Sequence, residues 1–226
     1  MDPTDRVNPD DPTVGAALGI AQALASRLCH DLVSPVGAIT NGVDLIRELG
    51  GSAGAEEIAM IGQSADRAND VLSFHRLAFG ATAAESSELG RPALARTLSR
   101  MLSDNRVRCV LSGEDGPPLP RRAARAIALA ALCARRLIPF RGRIDVDLAE
   151  TAILPVRIGI EGADPDRRAE ALAWLDAESP RASALQGPLD PREIEYALCP
   201  VAAAQAGAVI DIAIDSQSPR FTLRAA

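Results

Sequence analysis

The chain has 226 residues, 47% of them hydrophobic, with a formal net charge of −6. That length and apolar content supply one or two packed domains, while the acidic balance argues against a nucleic-acid partner, whose phosphates demand a basic surface. All 24 basic residues are arginine, which excludes Schiff-base chemistry and a phosphate-loop lysine. Residues 1–13, rich in Asp, Pro and Asn, read as a flexible lead-in, and the acidic, polar start lacks the pattern of a secretory signal. Apolar runs such as Ala126 to Ala134 are too short to span a bilayer, so the expectation is a cytoplasmic protein without membrane contact. Cys29, Cys109, Cys133 and Cys199 show no CxxC spacing and read as reduced core thiols, not as a metal site.

Thr13 is a candidate cap for a first long helix. Leu18, Ala21, Ala25, Leu28, Leu32, Val36, Ile39, Val43 and Ile46 recur at alternating steps of three and four, an amphipathic seam that runs to about Leu49. The helix breaks at Gly50-Gly51-Ser52-Ala53-Gly54. A second seam follows through Ile58, Ile61, Ala65, Ala68, Leu72, His75 and Phe79, with His75 read as a packing residue. A short turn between long helices predicts an antiparallel hairpin over residues 14–85. One hairpin cannot cover both seams, so two copies are expected to form a dimeric four-helix bundle.

Residues 86–226 alternate between helical and extended patterns. Helices are expected at Arg91 to Leu102, Pro120 to Leu137, Asp166 to Leu175 and Asp190 to Ala206. Strands are expected at Val107 to Leu111, Ile144 to Leu148, Ile153 to Ile160, Ala208 to Ile214 and Arg220 to Leu223. Helices on one face of a mixed sheet make an α/β sandwich, giving the chain as a whole an α + α/β fold class.

The candidate site lies on the first helix. His30 sits two positions from both Leu28 and Leu32, so at about 100° per residue it projects away from the seam. Ser26, Arg27, Ser34, Gly37 and Asn41 share its stripe, a small and polar surround open to a docking protein; Arg27, Ser34, Gly37 and Asn41 are the candidate partner-binding residues. A neutral imidazole, the main form near pH 7, can attack phosphorus through a free ring nitrogen. The adjacent Asp31 suits the role of accepting the Nδ1 proton, fixing the tautomer that leaves Nε2 free and stabilising developing positive charge. Arg27, one turn before Asp31, either pairs with it or contacts the partner. Pro35 removes a backbone donor and predicts a local bend.

The stretch from Leu28 to Gly42, Leu-Cys-His-Asp-Leu-Val-Ser-Pro-Val-Gly-Ala-Ile-Thr-Asn-Gly, resembles the ChpT-type dimeric histidine phosphotransferases of alphaproteobacterial phosphorelays. Phe74-His75-Arg76-Leu77-Ala78-Phe79-Gly80 is similar to that family's signature at the end of the second helix. The likeness is strong over residues 20–85 and architectural beyond. It implies a hairpin that dimerises and carries the phosphorylated histidine, followed by a degenerate, histidine-kinase-ATPase-like α/β sandwich. It also implies homodimers in which His30 takes a phosphoryl group from the receiver domain of a hybrid histidine kinase. The group then passes to response regulators, a cell-cycle transcription regulator among them. Mg²⁺ would come from the partner receiver, with no cofactor or metal held by this chain. The C-terminal surface either helps grip receivers or is retained for stability.

The residues themselves argue against nucleotide binding. The helix predicted from Pro120 to Leu137 has no asparagine for Mg²⁺, Glu161-Gly162-Ala163-Asp164 lacks the Asp-x-Gly-x-Gly pattern, and Gly187-Pro188-Leu189 offers no glycine array for phosphates. Two rival readings stay open. One is a binding-only scaffold whose His30 is never phosphorylated, the other an active histidine kinase.

Overall fold

A computed structural model describes residues 12–48, 50, 54–80, 87–150, 153–175, 190–214 and 219–226. Most of the predicted lead-in, the centre of the first turn and the Gly187 to Leu189 stretch lie outside the described residues. Helix α1 spans Pro12–Glu48 and α2 spans Ala55–Ala78. Thr13 falls inside α1, and the helix continues through Pro35 without interruption. Gly42 packs against Ile61 while Asp31 meets His75, so the two helices run antiparallel. A Cβ at Gly42 would lie 2.6 Å from the Ile61 side chain, so only glycine permits that approach without displacing the isoleucine.

The predicted seam of α1 is covered in part: Leu28, Leu32, Ile39, Val43 and Ile46 are half-buried, whereas Leu18, Ala21, Ala25 and Val36 are exposed. The more deeply covered line runs through Ala23, Arg27, Asp31, Pro35 and Gly42, all buried or half-buried. The physical reason is coverage: one neighbouring helix shields only part of an apolar stripe, and the rest of α1 faces outward in a single chain.

The second part begins with α3 (Arg91–Leu102) and contains α4 (Arg121–Arg136), α5 (Pro165–Leu175) and α6 (Ile194–Gln205). Its strands are β2 (Val107–Ser112), β4 (Gly142–Leu148), β5 (Val156–Glu161), β6 (Ala208–Ile214) and β7 (Pro219–Ala225), in sheet order β2-β4-β5-β7-β6. Only β2 and β4 are parallel. A two-stranded pair unread from the sequence, β1 (Glu88–Leu89) with β3 (Leu119–Pro120), brackets α3. Strand alternation selects the inner face. Val107, Cys109, Leu111, Ile144, Val146, Leu148, Val156, Ile158 and Ile160 are buried, while Arg108, Arg143, Asp147, Arg157 and Glu161 face solvent.

The alanines of α4 let it pack closely on both sides, and nearly the whole helix from Ala123 to Ala134 is buried. The end of α2 enters the same core: Phe74, Leu77 and Ala78 are buried together with residues of α3, α4 and the sheet. Polar ties reinforce the junction. Arg67 donates to the Arg100 carbonyl at 2.6 Å, Arg100 pairs with Asp70 at 3.2 Å, and Arg125 donates to the carbonyl of Gly80. The end of the hairpin and the sandwich therefore share one core. Cys109, Cys133 and Cys199 are buried, but Cys29 is exposed, correcting its reading as a core thiol; the turn of helix between Leu28 and Leu32 carries it outward.

Candidate functional site

His30 projects from the middle of α1 with 77% of its side chain exposed. Its Nδ1 lies 3.3 Å from Oδ1 of Asp31. The other carboxylate oxygen, Oδ2, is held by two groups: Arg27 Nε at 2.9 Å and His75 Nε2 at 3.1 Å. Asp31 is thus a bridge between an exposed imidazole and a buried one. An ionised carboxylate only accepts hydrogen bonds, so each ring presents an N–H to it. In a neutral His30 that leaves the Nε2 lone pair pointing to solvent.

Burial works against the Asp31 charge. Bonds from His75, Arg27 and His30 together with the Arg27 charge outweigh it, and hold the carboxyl down to about 2. Asp31 is therefore charged at neutral pH.

Behind Arg27 stands a second carboxylate. Glu195 of α6 is fully buried, accepts from Arg136 Nε at 2.5 Å and lies 3.8 Å from Arg27 Nη1. Burial pushes it up to about 7, despite the opposing charge of Arg27. Two open clefts flank His30. One, of about 530 Å³, is lined by Ser26, His30, Arg136, Asp190 and Arg192, among others. The other, of about 440 Å³, is lined by His30, Ser34, Gln63, Ser64 and Arg67, among others. In the first, Asp190 accepts from the backbone N–H of Arg192 at 2.8 Å, a turn that sets this arginine just ahead of α6.

The predicted partner-binding residues divide. Ser34 and Asn41 are exposed, and the Cα of Gly37 faces open space. Arg27 has 11% of its side chain exposed, because Asp31 and Glu195 draw the guanidinium inward, and it lines the first cleft beside His30. Of the two roles open to it, the structure shows the pairing with Asp31. His75 is buried as expected, but it is a polar partner of Asp31 and not only packing. Neither that bond nor the roles of Arg136 and Glu195 follow from local sequence; the sole signal was the likeness of the Phe74–Gly80 stretch. Asp164 also has structural work: its side chain accepts from the N–H groups of Asp166 and Arg167 and caps α5. Among the described residues, no group of three His, Cys, Asp or Glu side chains is placed to hold a metal. No described helix is long and apolar enough to cross a membrane.

A family profile described as the histidine phosphotransferase C-terminal domain matches residues 91–218, more than half of the chain. The chain belongs to the histidine phosphotransferase family. Within the family's reach, the Protein phosphotransferase ChpT of Brucella abortus (strain 2308) is 47% identical over 70 residues, 31% of this chain and 32% of that protein. The matched region thus spans about a third of that curated relative. A solved structure described as a bacterial phosphotransferase superposes with a TM-score of 0.69 over 92% of this chain and 97% of its own, at 24% identity. That likeness shows a shared fold: long N-terminal helices followed by a mixed sheet with helices.

Proposed function

We propose that this chain relays a phosphoryl group between aspartates through His30. The observation that carries the reading is the exposed imidazole whose Nδ1 faces a firmly charged carboxylate, leaving Nε2 free in an open cleft. A receiver domain of a hybrid histidine kinase, carrying an aspartyl phosphate, docks over the two clefts. His30 Nε2 attacks phosphorus in line, the N–P bond forms as the aspartyl O–P bond breaks, and the freed carboxylate leaves with the receiver. Asp31 keeps the Nδ1 proton and balances the positive charge that the ring acquires. The aspartate of a response regulator, a cell-cycle regulator among them, later takes the group in the reverse sense. Mg²⁺ belongs to the receiver's acidic pocket. The chain supplies position and charge, the main contributions available to a reaction with a loose transition state.

The absence of an asparagine in α4 and the use of Asp164 as a helix cap support a chain that does not load itself from ATP. Incubation with labelled ATP and Mg²⁺ will leave the protein unlabelled. Incubation with a phosphorylated receiver will give one acid-labile, alkali-stable phosphate per chain. Label from ATP alone would instead identify a kinase, and no label from any competent receiver would leave a binding-only scaffold.

Leu18 and Val36 of α1, five turns apart on one face, and Ile58 and Leu72 of α2 stand exposed along the hairpin. Such a stripe supports a homodimer closed as a four-helix bundle, with one His30 on each first helix. Val36→Glu combined with Ile58→Glu will halve the mass seen by sedimentation while the sandwich stays folded, since both side chains are exposed in the single chain. A wild-type protein sedimenting as a monomer at about 10 μM, a concentration well above the Kd of a stable bundle, would refute the dimer.

A further inference from the structure

We infer that Glu195 is a positioning residue for His30, the means by which the C-terminal sandwich sets the geometry of the phosphate-accepting ring. The inference rests on His30 being that acceptor. Its path is continuous: Glu195 Oε1 faces Arg27 Nη1 at 3.8 Å, Arg27 Nε donates to Asp31 Oδ2 at 2.9 Å, and Asp31 Oδ1 meets His30 Nδ1 at 3.3 Å. Arg136 of α4 fixes Glu195 from the other side at 2.5 Å.

Stability alone does not account for this carboxylate. Glu195 is buried along with Ile194, Tyr196, Ala197 and Cys199 of its own helix, and its Oε2, like Nη2 of Arg136, is buried with no hydrogen-bond partner among the described residues. A half-satisfied buried ion pair is often no more stable than an apolar replacement of the same size. What the carboxylate does is geometric. It anchors one arm of the Arg27 fork, so that the Nε arm is aimed at Asp31 and not at solvent. With Arg27 anchored, Asp31 offers its second oxygen to His30.

The groups facing Glu195 are Arg27 and Asp31 from α1, His75 from α2, and Cys133 and Arg136 from α4. Because burial raises Glu195 to about 7, its hold on Arg27 strengthens as pH rises through that range and weakens as pH falls through it. A glutamine at this position mimics the protonated form at every pH.

The test compares full-length wild type, Glu195→Gln and Glu195→Met, each also combined with Arg27→Gln, with thermal melting as a control for folding. At about pH 8 the ring ¹⁵N signals of unphosphorylated His30 will show a Nδ1–H to Nε2–H ratio about twofold lower or more in both Glu195 variants, and transfer from a phosphorylated receiver will be about fivefold slower. The wild-type to variant rate ratio will fall toward one below about pH 7. In the Arg27→Gln background the Glu195 substitutions will add nothing, because the path is already cut. Unchanged ring signals with a pH-independent rate ratio, or an undiminished Glu195 effect without Arg27, would overturn the inference. A wild type that takes no phosphate from receivers would refute the acceptor role, and the ring signals would still decide whether Glu195 positions His30.

Discussion

Protein carrying His30→Gln will take up no phosphate from receivers that load the wild type, a loss of about 10³-fold or more, because no other group at the site can replace the nucleophile. His75, the only other histidine, is buried, and its Nε2 is already committed to Asp31. The variant's stability will stay within about 0.5 kcal/mol of wild type, as for other exposed positions with few contacts. Among the described residues His30 has one polar contact, the 3.3 Å approach to Asp31, and 77% of its side chain lies in solvent. Acid-labile radiolabel and a thermal melt measured on the same sample separate the two effects. Residual label of wild-type magnitude would move the acceptor elsewhere on the chain.

The outward aspect of His30 was legible in the sequence because it depends on helical geometry alone. Two residues from Leu28 and two from Leu32, it projects away from both. The sheet was legible for a similar reason: alternation at Ile144-Val146-Leu148 and Val156-Ile158-Ile160 is a local signal of a strand with one dry face. What the sequence could not show is how α1 turns about its own axis against its neighbours. Its apolar stripe is wider than one helix can cover, so the buried line fell through Arg27, Asp31 and Gly42 and left Val36 outside. Pairings across long separations were equally hidden. Asp31 and His75 are 44 positions apart, and Arg136 and Glu195 are 59 apart, with no periodicity linking either pair. The short β1–β3 pair escaped because two residues are too few to carry a pattern.

Asp31→Asn separates a charged bridge from a merely polar one. An amide carries an oxygen and an NH₂ where the carboxylate carries two equivalent acceptors. Arg27 Nε can only donate, and His75 Nε2 lies on the same oxygen, so the amide oxygen will take that inner place. The NH₂ is then turned toward His30 Nδ1, where it donates. The ring must accept at Nδ1 and carry its proton on Nε2, the nitrogen that has to attack, and the reactive lone pair is lost to the wrong tautomer. Transfer will slow by about 10²-fold, within the range for a positioned acid or base group. The ¹⁵N spectrum of His30 will shift to the Nε2–H form in the same variant. Stability will change with a definite sign. The wild-type carboxyl is held at about 2 against an ordinary value of 3.8, so its stabilising contribution is full above about pH 4 and disappears as pH falls toward 2. The variant will therefore melt lower than wild type at neutral pH and converge with it in acid. A variant with slowed transfer but an unshifted His30 tautomer would assign the effect to the lost charge. Unchanged transfer would remove Asp31 from the chemistry and leave it as the structural tie between α1 and α2.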